Sequence, residues 1–190
     1  MAKIILKNDK AKLICTDRVL LQLRNKNRIR VPGAWYAPSY RNRSWDGFAY
    51  YVTTAGYFMM GLLPKIISQL VEMGEEIEID DLRDTIVPEK IVKQFGKVIL
   101  RDYQYSSVKS IVKNKLEGIP FQRGVLNEAT NAGKTLIAAS IFETYPDNMK
   151  LIFVVNREHL YKQIREELPE LIDKREIGYI GSDGVKWGRF

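Results

Sequence analysis

The tightest constraint on this chain is the run NEATNAGKTLIAASIF, Asn127 to Phe142, in which a polar loop ends in Gly-Lys-Thr and turns at once into an apolar helix. A short apolar segment, RGVLNEA, leads into it. Strand, glycine-bearing loop and helix in that order make a phosphate-binding loop, because the first N–H groups of the helix face an anion with no partner of their own. The full pattern has a second glycine five positions before Gly133, where this chain has Glu128. The physical requirements are otherwise met. Gly133 lets the backbone approach phosphate oxygens, Lys134 brings a positive charge to the β- and γ-phosphates, and the Thr135 hydroxyl is a ligand for Mg²⁺. Asn131 stands where another glycine is common, and Asn is among the few residues that tolerate a left-handed backbone.

The surrounding pattern alternates between the two regular periods. LRDYQYSSVKSIVKNKL places Tyr103, Val108, Ile111, Val112 and Leu116 on one helical side. KLIFVVN reads as a strand buried on both faces, REHLYKQIREEL as a helix closed by Pro169, and EIGYIG as a third strand. This order predicts a parallel α/β sheet with right-handed crossovers from about residue 86 onward. Residues 1–85 read differently, as a small α+β unit. KIILK and AKLICT form a hairpin, Asp17 caps a helix through about Asn25, and FAYYVTT with GYFMM form a second hairpin about Ala55-Gly56. A helix then runs from Leu63 to a stop at Gly74, and EEIEIDD is a strand.

Charge separates the two regions. Residues 1–50 carry eleven Lys/Arg against three Asp, a balance of +8, while the other 140 residues carry 19 basic against 20 acidic side chains. A basic end on a near-neutral body suits a polyanion, most often nucleic acid. The loop WYAPSYRNRSWDG interleaves Trp35, Tyr36, Tyr40 and Trp45 with Arg41 and Arg43, pairing phosphate contacts with faces on which unpaired bases stack. Trp45 fits either role open to it, a stacking face or an anchor for a small core. One cysteine, Cys15, and one histidine, His159, exclude an internal disulfide and a Cys/His zinc cluster. No apolar run approaches the roughly 20 residues of a membrane helix, so a cytoplasmic location is expected (a host's cytoplasm for a phage protein).

These motifs resemble those of superfamily 2 DNA helicases of the phage UvsW type. LRDYQ is similar to the family's adenine-recognising segment, EATNAGKT to its motif I, and LIFVVNREHLYKQIREEL to its motif Ia. RNRSWDGFAYYV…GLLPKII is similar to its accessory domain, with Ser44 where that family has Asn. The resemblance spans nearly the whole chain. It implies a basic accessory DNA-binding domain over 1–85 and the incomplete first RecA-like ATP-binding domain over 86–190. It further implies ATP with Mg²⁺ bound by Arg101, Gln104, Ala129, Thr130, Asn131, Ala132, Gly133, Lys134 and Thr135. Lys134 and Thr135 are the catalytic pair, Thr135 the Mg²⁺ ligand, and Gln104 the reader of adenine N6 and N7. DNA, branched or forked, would meet Arg41, Arg43, Trp45, Asn156 and Arg157. The expected activity is that of the N-terminal part of an ATP-dependent helicase driving branch migration or unwinding in recombination, replication or repair. The carboxylate pair that hydrolysis needs is missing after residue 160, so turnover is expected only with the remainder of the helicase, including a second RecA-like domain. The competing readings are a non-catalytic DNA-binding module with a vestigial nucleotide loop, and another phosphate-loop protein such as a restriction-type translocase or small kinase.

Overall fold

The computed structural model describes residues 1–172, 177–181 and 184–186, and the chain divides into two compact units, Met1–Thr85 and Ile86–Phe190. In the first, β1 (Ala2–Leu6) and β2 (Lys10–Ile14) form the expected hairpin, and α1 (Asp17–Lys26) follows. β3 (Arg28–Arg30) leads to a 3₁₀ turn, Ala34–Tyr36, and to the short helix α2 (Pro38–Arg41). β4 (Phe48–Tyr50), β5 (Tyr57–Met59), α3 (Leu63–Glu72) and β6 (Ile77–Asp81) complete the unit. The sheet runs in the order β5-β2-β1-β6, and β1 pairs parallel with β6. Alternation along β1 buries Ala2, Ile4 and Leu6 completely, as a strand with one face on a core must. Leu23 of α1 and Leu63, Ile66 and Leu70 of α3 are equally buried. A buried amide bond, Asn27 Nδ2 to Gln69 Oε1 at 2.6 Å, joins the end of α1 to α3.

Two expectations for this unit need correction, and one strand was not anticipated. Asp17 does not cap α1; Thr16 occupies the cap and Asp17 lies in the first turn, where its charge opposes the helix dipole's positive end. The second hairpin is only a turn. Gly56 N–H donates to Thr53 O, but β4 pairs with β3 and β5 with β2, a single bridge between Val52 and Phe58 joining the two. β3 itself is three exposed residues, too short and too charged to show an alternating pattern.

The second unit opens with the hairpin β7 (Gln94–Phe95) and β8 (Val98–Ile99), followed by α4 (Asp102–Val112). β9 (Lys115–Leu116) and β10 (Ile119–Pro120) pair about Glu117 and Gly118, both left-handed, the backbone of a tight hairpin turn. Leu116 therefore sits on a strand, not on the helix face expected of it. α5 (Lys134–Thr144), α6 (Glu158–Leu171) and the hairpin of β11 (Tyr179–Gly181) and β12 (Gly184–Lys186) follow. Phe95, Leu100, Val108, Val112, Ile137, Ala139, Leu168 and Ile172 make the core.

The mixed α/β class holds, but the parallel sheet expected within residues 86–190 does not form among the described residues. Residues 124–128 and 151–155 enter no strand pairing, and β11 folds back antiparallel on β12. Their apolar pattern survives in which side each residue faces. Leu126 packs on the core and Phe153 meets Phe142 edge-on at 6.2 Å, while Val125, Ile152 and Val154 are 82–94% exposed. A strand exists only with a hydrogen-bonded neighbour, and none of the described residues supplies one. Pro169 does not end α6, which continues to Leu171. The Arg165 carbonyl that a proline nitrogen cannot serve is approached by the Tyr179 hydroxyl at 3.4 Å.

Candidate functional site

The residues singled out around the phosphate loop come together. Gly133 caps α5 in a left-handed conformation, φ +77° and ψ +44°. A Cβ there would lie 2.5 Å from Gln104 Nε2, so glycine is required both by the backbone and by the close approach. Asn131 adopts φ +64°, the left-handed state its side chain tolerates. The N–H groups that open α5 have no intrahelical partner, as at any helix start, and point their partial positive charge out of the turn. Thr135 is half-buried and its hydroxyl has no partner among the described residues, whereas exposed Lys134 curls back to donate from Nζ to Ala129 O at 3.1 Å.

The loop is braced from α4. Gln104 is 3% exposed; its Oε1 accepts from Arg101 N–H at 3.0 Å and its Nε2 donates to Ala132 O at 2.9 Å. The Tyr103 hydroxyl donates to the same Ala132 oxygen, also at 2.9 Å. Glu128, which stands where the missing glycine would be, accepts from Ser107 Oγ at 2.5 Å. The carboxylate is thus turned toward α4 and tied down, which explains how the loop tolerates a charged side chain at that position. Tyr103, read in the sequence only as part of a helix face, and Ser107 were not expected at the loop. Their only signal was their place beside Gln104 on the same helix, which periodicity alone assigns to packing.

Tested against a magnesium-bound triphosphate, this donor set fits the phosphates: unpaired N–H groups, one lysine and one hydroxyl, on a turn whose glycine admits close approach. The Thr135 hydroxyl is an oxygen ligand that Mg²⁺ could take. Among the described residues no group of three or more His, Cys, Asp or Glu could hold a metal ion.

Asn156 and Arg157 lie exposed at the start of α6, with Arg157 in the cap position. In the first unit, Arg41, Arg43 and Trp45 share an open cup with Trp35, Tyr40 and Asp46. Arg41 Nε donates to Trp35 O at 3.3 Å, while the Arg43 side chain has no partner among the described residues. Trp45 is half-buried and donates its indole N–H to Phe48 O at 2.9 Å. The Asp46 carboxylate accepts from the Tyr50 hydroxyl at 2.5 Å and from Phe48 N–H at 3.1 Å, bonds that hold its pKa below the usual aspartate value. Gly47, at φ +81°, would press a Cβ to 3.0 Å from the Tyr40 ring, which accounts for the glycine of the Trp-Asp-Gly turn.

Comparisons with known proteins find a helicase-type likeness for this chain. Residues 97–185 match the family of the type III restriction enzyme res subunit, a helicase-family domain. The fold is that of UvsW: the UvsW helicase from bacteriophage T4 superposes with a TM-score of 0.73 at 19% identity, over 96% of this chain and 68% of that one. A second structure of T4 UvsW superposes with a TM-score of 0.68 at 20% identity, over 90% of this chain and 37% of that one. No curated protein sequence matches. The resemblance to superfamily 2 helicases of the UvsW type is thus borne out by the shared fold and by the family match over residues 97–185. No helix among the described residues is long and apolar enough to cross a membrane.

Proposed function

We propose that the chain is the N-terminal part of an ATP-dependent DNA helicase, in which residues 86–190 bind ATP and residues 1–85 bind branched or forked DNA. The observation that carries this reading is the turn at Gly133, Lys134 and Thr135, with free helix N–H groups ahead of α5 and Gln104 packed directly behind it. In the proposed complex Lys134 leaves Ala129 O for the β- and γ-phosphates, and Thr135 Oγ1 ligates Mg²⁺, which when bound neutralises phosphate charge. Gln104 reads the adenine edge by giving up its bond to Ala132 O, and Arg101 and residues 129–132 line the rest of the loop. Asn156 and Arg157 offer an amide and a cation to a DNA phosphate at the start of α6, while Arg41 and Arg43 contact phosphates from the accessory unit. Hydrolysis coupled to branch migration or unwinding requires carboxylates and a second motor domain from the rest of the helicase, in the cytoplasm (a host's for a phage protein).

Nucleotide selectivity tests the reading. Gln104→Ala should lose discrimination between ATP and GTP, and a chain that binds both equally before substitution would contradict it. The non-catalytic alternative, a DNA-binding module with a vestigial loop, predicts no nucleotide binding and DNA affinity indifferent to Lys134→Ala.

A further inference from the structure

We infer that the cup in the first unit seats one unpaired nucleotide of a DNA strand, its base stacked on Trp35 and its phosphate on Arg43. The inference rests on the DNA-binding reading of that unit and says what it would recognise. The cup is open and has a volume of about 850 Å³. Trp35 is 51% exposed and neighbouring Tyr36 is 70% exposed, their rings 5.5 Å apart and tilted at 49°. A large indole left half in water inside a small domain forgoes the burial that ordinarily explains a tryptophan. Trp45, which also lines the cup, is accounted for by its bond to Phe48 O. Trp35 is also fixed in place, since Gly33 turns the chain left-handed into the 3₁₀ turn that carries it, Tyr36 N–H donates to Gly33 O, and Arg41 holds its carbonyl.

The charges in and near the cup divide the same way. Arg28 lies over the Phe48 ring at 4.1 Å, Arg24 over Tyr50 at 4.7 Å, and Arg30 reaches the Tyr40 hydroxyl, so these cations are engaged. Arg43 is not, and its backbone is held at φ +61°, a conformation that a glycine or asparagine would adopt at less cost. Asp46, tied to Tyr50 and Phe48, lines the same cup and repels phosphate, which leaves the arginines to receive it. Phosphate contacts alone would need no aromatic face. Bases in a duplex cover one another's faces, so a base free to stack on Trp35 is an unpaired one.

The test measures affinities of the full chain, at one salt concentration, for a blunt duplex and for a fork with single-stranded arms. Trp35→Ala should weaken fork binding roughly five- to hundred-fold, the range for one lost base–aromatic stack, leave duplex binding unchanged and keep the melting temperature. Trp35→Phe should restore most of the loss. Equal effects of Trp35→Ala on both DNAs, or none on either, would overturn the inference. If Trp35→Ala has no effect while Arg41→Ala with Arg43→Ala weakens every DNA, the nucleotide seat alone fails. If the arginine pair also has no effect, the DNA reading of this unit fails with it.

Discussion

At Gly133 the backbone and the packing make the same demand, a left-handed φ and no side chain within reach of the Gln104 amide. Gly133→Ala should therefore cost about 1–3 kcal/mol of stability in the second unit, read by chemical denaturation, and should abolish nucleotide binding. Arg43 poses the opposite case, a side chain on a backbone that would be more relaxed without one. Arg43→Gly should leave stability within about 1 kcal/mol of the parent, if anything higher, while lowering DNA affinity and the salt slope of binding by about one phosphate contact. A loss of both stability and affinity would mean that Arg43 serves the fold. Glu128 was the residue that most obscured the phosphate loop in the sequence. Its explanation, a hydroxyl from Ser107 on another helix, is a tertiary contact that no local pattern encodes.

Among the elements, the Trp-Asp-Gly turn is tied down in part by the Asp46 carboxylate. Because the Asp46 pKa is lowered in the folded chain, first by the Tyr50 hydroxyl and then by Phe48 N–H, its contribution is fully present above the ordinary aspartate value. It is lost as pH falls below that value through the lower folded one. Trp45 fluorescence should report a loosening of the turn in that acid window, absent in Asp46→Asn; a transition unchanged by Asp46→Asn would assign it to another group. Helix positions were legible because their apolar spacing is long and regular, as in α3, where Leu63, Ile66, Ile67 and Leu70 are all buried. Short strands were not. β3, β7 and β9 have two or three residues each, and which strand pairs with which depends on partners distant in sequence.

For the whole molecule, the sequence disclosed the mixed α/β class and the likeness to UvsW-type helicases, because the motifs that carry it are local. It did not disclose that KLIFVVN and RGVLNEA would pair with nothing among the described residues, since an apolar run looks the same whether or not its neighbour is present. Val125, Ile152 and Val154 stay exposed as a result. Replacing Ile152 and Val154 with threonine should raise solubility and change stability by less than about 0.5 kcal/mol each; a large destabilisation would show that these residues are packed in solution. The proposed helicase function requires that the turn at Gly133, Lys134 and Thr135 take a triphosphate. Titration calorimetry of Mg-ATP into the chain should give saturable one-to-one binding that Lys134→Ala weakens at least about tenfold, a loss of roughly 1.4 kcal/mol. No heat of association, or binding unaltered by Lys134→Ala, would contradict it.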